Sequence, residues 1–136
     1  MEYTVVIRTL GKAGEKYQTM LESLKVQTIP PKNIFVYIAE GYPIPKETID
    51  EERYIYVKKG MVAQRALPYL EVETEYILFL DDDVYLASDS VEILCRQLKE
   101  KHADVISPDV FYNATRSLKS ELMMTISGRM RARRCD

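Results

Sequence analysis

Short apolar runs alternate along the chain with segments of helical spacing, and stretches rich in Gly, Pro and charge separate them. Tyr3 to Thr9 is dense in β-branched residues and predicts a first strand. After a turn at Gly11 to Gly14, the segment from about Glu15 to Val26 places Tyr17, Met20, Leu21 and Leu24 on one face of a helix, which Pro30-Pro31 stops. Asn33 to Ala39 predicts a second strand ending in Glu40-Gly41. Tyr42 to Glu52, with Pro43 and Pro45, reads as a loop or short helix before a brief strand at Arg53 to Val57. Gly60 opens a helix that Pro68 ends or kinks. Tyr76 to Leu80 is a continuous apolar run of the kind buried on both faces of a sheet. Asp89 with Glu92 has the form of a capping box for a helix reaching about Lys101. Ala103 to Ser107 predicts a last strand before Pro108, and Leu118 to Ile126 is compatible with a helix. Strand and helix in alternation predict an α/β fold with a mostly parallel sheet and helices on both faces. An α/β body over residues 1–110 and a C-terminal extension over 111–136 follow from the same pattern.

The apolar run at Tyr76 ends abruptly in Asp81-Asp82-Asp83. In open α/β sheets ligands bind at the C-terminal edge of the strands, so these acids stand where chemistry is expected. Side chains two apart on an extended chain point the same way, which lets Asp81 and Asp83 converge on one cation. Oxygen-only ligands suit magnesium or manganese, which keep some waters and bind phosphate oxygens at the same time. A metal-bridged diphosphate is the ligand this chemistry suggests. A solvated acidic turn leading into the next helix would produce the same run.

Composition narrows the classes. A chain of 136 residues can bury a real core as one body, and 46% hydrophobic with 29% charged residues is ordinary for a globular protein. A net charge of -2 argues against nucleic-acid binding, which needs clustered cations. No apolar run approaches the roughly 20 residues that span a bilayer, and no signal-peptide pattern opens the chain, so a cytoplasmic location is expected. The basic end, Arg129, Arg131, Arg133 and Arg134, reads as a solvated tail, with peripheral contact to an anionic membrane surface as the alternative. Cys95 shares a helical face with Val91, Leu94 and Leu98 and reads as a buried thiol.

From about Tyr3 to Pro108 the chain resembles the family-2 glycosyltransferases, which have the GT-A nucleotide-diphospho-sugar transferase fold. The opening strand Thr4 to Leu10 resembles the family's strand ending in Pro-Thr-Tyr, with Thr9 at the threonine position. Leu21-Glu22-Ser23-Leu24 followed by Gln27 is similar to its Ser-Leu…Gln helix signature. Ala39-Glu40-Gly41-Tyr42 replaces the usual Asp-Asp-Gly-Ser, and Lys58-Lys59-Gly60 through Gln64-Arg65 resembles Asn-x-Gly then Ala-Arg-Asn. Glu75 to Asp83 matches the most diagnostic segment almost residue for residue.

The resemblance implies a Rossmann-like GT-A domain that binds a nucleotide-diphospho-sugar, above all a UDP-sugar, with manganese or magnesium as cofactor. It places Thr9, Glu40, Gly60, Arg65, Asp81 and Asp82 on the nucleotide-sugar, Glu40 on the base and Arg65 on the nucleotide or its phosphates. Asp83, aided by Asp81, is the implied metal ligand. It implies transfer to a sugar, lipid or protein acceptor, with inversion. Relatives continue into an acceptor half that carries the catalytic carboxylate, so the chain is expected to be truncated at its C-terminus and to self-associate through exposed apolar surface. No catalytic base is assigned: Asp104 and Asp109 are the acids in the right region, and His102 reads as a helix-end residue. A non-catalytic nucleotide-sugar-binding domain is the main alternative. A sugar nucleotidyltransferase is another, for which Gly11-Lys12-Ala13-Gly14 is a thin phosphate-binding loop.

Overall fold

The structure, a computed structural model, describes residues 1–60, 67 and 69–108. The expected helix after Gly60, with Arg65 and Pro68, lies outside the described residues, as do Asp109, the Leu118 to Ile126 segment, the arginine tail and the expected boundary at residue 110.

The chain divides into two compact units, Met1–Cys95 and Arg96–Asp136. In the first, strands β1 (Tyr3–Thr9), β2 (Asn33–Ala39), β3 (Glu52–Val57) and β4 (Tyr76–Asp81) form one sheet in the order β3-β2-β1-β4. Every pairing is parallel, with Thr4 opposite Asn33, Tyr3 opposite Tyr76 and Ile34 opposite Glu52. The inner strands β1 and β2 are buried almost throughout, whereas the outer β3 and β4 alternate between half-buried and more exposed positions. That difference follows from parallel geometry, in which inner strands are covered on both faces.

Helix α1 (Glu15–Lys25) buries Tyr17, Met20, Leu21 and Leu24 against Tyr3, Val5, Ile7, Ile34 and Val36. Full burial of four such side chains contributes on the order of 6–12 kcal/mol before chain entropy is counted. Helix α2 (Ser90–Glu100) adds Val91 and a half-buried Cys95 to the same cluster, so both described helices cover one face. On the opposite face Val6, Phe35 and Tyr37 pack with Leu67, Tyr69 and Val72. Among the described residues no helix is long and apolar enough to cross a membrane.

Two expectations change at the ends of α2. The capping box does not close between Asp89 and Glu92: the Val91 amide donates to Gln27 Oε1 at 3.2 Å, and Glu92 Oε2 accepts from the Thr28 hydroxyl at 2.8 Å. A side chain from the end of α1 thus supplies the cap that a local residue would otherwise give. At the other end, His102 takes φ 47°, its amide bonds to the Lys99 carbonyl, and the Ala103 amide bonds to the Leu98 carbonyl. This pair of bonds is a Schellman closure with histidine in the left-handed position. It turns the chain back at the point where the sequence predicts a strand, and Ala103 to Ser107 forms none. His102 therefore has a structural place, as expected for a helix-end residue.

Candidate functional site

Because all four strands are parallel, Thr9, Ala39, Val57 and Asp81 end on the same edge of the sheet. The chain leaves β1 toward β2 and β3 on one side and returns as β4 on the other, so the crevice between the ends of β1 and β4 is a topological switch point. A cleft of about 480 Å³ opens there, lined by Arg8, Thr9, Leu10, Lys12, Ala13, Lys16, Asp82 and Asp83.

The acid run divides between two neighbours. Asp81 stands opposite Arg8 in the strand register, and Arg8 Nη2 lies 3.4 Å from Asp81 Oδ1. The next carboxylate turns to the next residue of β1: the Thr9 hydroxyl donates to Asp82 Oδ2 at 2.6 Å and accepts the Gly11 amide at 2.8 Å. Thr9 itself is buried, the bond is part-buried, and the carboxylate acceptor makes it charge-assisted. Since β4 ends at Asp81 and the chain then turns, Asp82 and Asp83, rather than Asp81 and Asp83, share the cleft wall. The extended spacing behind the expected Asp81–Asp83 pairing stops one residue too early for it.

Leu10, Lys12 and Ala13 of the loop after β1 line the same cleft. Gly11 has φ 71°, and a Cβ there would meet the Pro43 carbonyl oxygen at 3.0 Å, so the loop lies close against the one after β2 and a side chain would be both strained and tight. Lys12 Nζ lies 5.9 Å from the centre of the Tyr42 ring, within cation–π range. Gly14 begins α1 without a side-chain cap, and Lys16, in the helix's first turn, lines the cleft.

Behind the acids, α1 holds the chain that follows them. Ser23 Oγ accepts the Leu86 amide at 3.3 Å and donates to the Met20 carbonyl at 2.6 Å. Gln27 Nε2 donates to the carbonyls of Ser23 at 2.9 Å and Ala87 at 2.8 Å, and the Thr28 amide donates to Ser88 at 2.8 Å. The Ser-Leu…Gln signature thus has a physical role, which is to satisfy backbone groups of the segment from Leu86 to Val91. With β4 on one side and this latch on the other, the acid turn is held at both ends.

Glu40 and Gly60 lie on the same sheet edge, outside the cleft lining. The Glu40 amide extends the β2–β3 ladder to the Val57 carbonyl at 2.8 Å while its side chain is exposed, and Gly60 has φ 97° just past β3. Sequence reading did not single out Lys12 and Lys16 as site residues. The thin Gly-Lys-Ala-Gly loop is a signal for Lys12 alone, and Lys16 lies outside it in the helix. Arg8 was also missed, since a cation in a strand carries no motif.

The strongest electrostatic perturbation nearby falls on Tyr17. Burial pushes its hydroxyl well above the ordinary value, helped by its hydrogen bond to Tyr54 (2.7 Å between oxygens) and by the charges of Glu52 and Asp82. Among the described residues no three His, Cys, Asp or Glu side chains converge as a ready metal cage. Asp82 and Asp83 on one wall instead offer what magnesium or manganese takes when a diphosphate completes its shell, one or two carboxylates.

Residues 3–102 match the model of the glycosyl transferase family 64 domain. Among solved structures the chain is similar to S. aureus TarS, at 20% identity and TM-score 0.61, over 87% of this chain and 23% of that one. It is likewise similar to S. aureus TarS 1-349 in complex with UDP, at 21% identity and TM-score 0.61, covering 86% of this chain and 38% of the other. For the same protein in complex with UDP-GlcNAc the values are 19% identity and TM-score 0.62, covering 86% and 37%. At such identities the likeness shows the fold, and the chain spans well under half the length of these structures. No curated protein matches it significantly.

Proposed function

Because the chain belongs to the glycosyl transferase family 64 domain family, matched over residues 3–102, we propose that it is the donor-binding part of a glycosyltransferase, taking a nucleotide-diphospho-sugar in the cleft between β1 and β4. The observation that carries this reading is the joining of Arg8, Lys12 and Lys16 with Asp82 and Asp83 in one cleft at the switch point. Cations and carboxylates side by side are what a diphosphate with a bridging cation needs. That the structurally similar TarS was crystallised with UDP and with UDP-GlcNAc supports a uridine nucleotide as the donor's carrier.

In this reading Asp83 would hold a divalent cation, manganese or magnesium, and Asp81 remains committed to Arg8. The cation supplies charge neutralisation for the departing nucleoside diphosphate. Lys12 and Lys16 add positive charge to the cleft lining, which favours the same departure. Thr9 orients Asp82 toward the ribose side of the donor, and Glu40 faces the base. The acceptor hydroxyl attacks the anomeric carbon from the opposite side, so the configuration inverts; its proton goes to a base that lies outside the groups assigned here.

The test is calorimetric titration of UDP and then GDP, with and without manganese, into the protein and its Asp83→Ala variant. UDP binding that manganese strengthens, with the strengthening lost in the variant, supports the assignment. Binding of neither nucleotide by the folded protein refutes it. The coverage of 23–38% of the similar structures favours one further reading, in which this chain binds the donor without turning it over by itself. Donor binding without product formation for any acceptor identifies that case, whereas release of pyrophosphate from a nucleoside triphosphate would point to a nucleotidyltransferase instead.

A further inference from the structure

Arg8 is the single cation inside β1, in the sequence Tyr-Thr-Val-Val-Ile-Arg-Thr, and resemblance gives it no role because proline stands at that position in the motif. Its side chain is 13% exposed. A guanidinium has five N–H donors. Here one of them reaches Asp81, at 3.4 Å, which is long for such a bond, and Nε is buried with no partner. Buried donors without acceptors are costly, and a charged one more so. Asp81 is 60% exposed and holds the guanidinium by a single contact, so water competes for the pair.

Arg8 also lines the cleft, where Lys12 and Lys16 bring the cations to three against the two carboxylates Asp82 and Asp83. The lining is therefore net positive by one charge and suits an anion. We propose that Arg8 is a phosphate-binding residue of this cleft, which uses its unsatisfied donors to hold a diphosphate and gives the site an affinity for it that needs no divalent cation. Phosphate matches the guanidinium because two of its oxygens can meet two N–H groups of the planar fork at once. The inference rests on the donor-site reading for the identity of the ligand, though not for its charge.

The experiment titrates inorganic pyrophosphate, UDP and uridine, in the presence of a chelator, into the protein and into Arg8→Gln and Arg8→Lys. The wild type is expected to bind UDP and pyrophosphate. Arg8→Gln should weaken both by about 10- to 100-fold, the range of a charge-assisted bond pair, and leave uridine unchanged. Arg8→Lys should recover part of the loss, since it restores the charge without the fork. The unfolding temperature of Arg8→Gln is expected to equal or exceed that of the wild type, because the substitution removes an unsatisfied buried cation. An equal loss for uridine, unchanged UDP and pyrophosphate affinity in a folded Arg8→Gln, or a destabilised variant with unchanged affinity would each overturn the assignment. Wild-type binding of pyrophosphate but not UDP would sink the donor reading and leave Arg8 in place. Binding of neither would remove both.

Discussion

Replacing Gln27 by leucine keeps the side-chain volume nearly constant and removes three hydrogen bonds, those to Ser23, Ala87 and Val91. Gln27 is 6% exposed, so water cannot take over. At about 1 kcal/mol for each lost bond, with about 1 kcal/mol more for the stranded Val91 amide and Ser23 carbonyl, the cost is about 4 kcal/mol. Burial of the leucine methyls offsets about 1 kcal/mol of this, leaving about 3 kcal/mol. Urea unfolding with a slope of about 1.5 kcal/mol per M should show the midpoint falling by about 2 M at unchanged slope. Amide hydrogen exchange on the same variant should show Val91 and Leu86 losing protection before the central strands do. A midpoint within about 0.5 M of the parent, or an unchanged Val91 amide, would refute the latch, and Ser23 with Gln27 would then be ordinary core residues.

Gly11→Ala should destabilise by about 1–2 kcal/mol, read as a drop of about 5 °C in the thermal midpoint. Gly41→Ala, at φ 88° but with no atom near its Cβ, should cost less because only the conformational part applies. Stability should also fall at alkaline pH. Burial raises the hydroxyl pKa of Tyr3, Tyr17 and Tyr37 above the ordinary 10.0, with Tyr54 adding for Tyr17 and Glu71 for Tyr37. The unfolded chain then loses protons that the folded one keeps, so the stability these groups supply is intact below pH 10.0 and shrinks above it. Each of the three removes about 1.4 kcal/mol per pH unit, and the share of the tyrosinate absorbance that belongs to these three buried residues should appear only as the protein unfolds.

Much of this fold was legible because its strands have local signatures. The β-branched run at Tyr3, the Ile34 to Ile38 run and the apolar stretch before Asp81 each predict an element to within a residue or two of the observed one. Thr9, Asp82 and Asp83, which the motif singles out, line the cleft. The pairing of the acids was not legible, because the partners of Asp81 and Asp82 lie 73 residues earlier and depend on the parallel register between β1 and β4. Where the strand stops was equally hidden, and it decides that Asp82 rather than Asp81 joins Asp83 at the cleft. Asp89 and Glu92 satisfied a local rule, yet Gln27, brought close by packing, took the Val91 amide instead. Ala103 to Ser107 has strand composition, but composition carries no sign of the turn that His102 makes just before it.

The strand order has a consequence for how the molecule is made. Of the four strands β1 is synthesised before the others and lies inside the sheet, but only its β2 side can be filled early, by a neighbour beginning at Asn33. Its other side waits for Tyr76–Asp81, so a chain still emerging from the ribosome carries an unpaired, strongly apolar edge until that strand is made. The cleft cannot exist before that edge closes, because both of its walls' anchor points, Thr9 and Asp82, meet only across it. Occupancy of the cleft therefore reports completion of the sheet, and a ligand that binds there selects finished molecules from nascent ones.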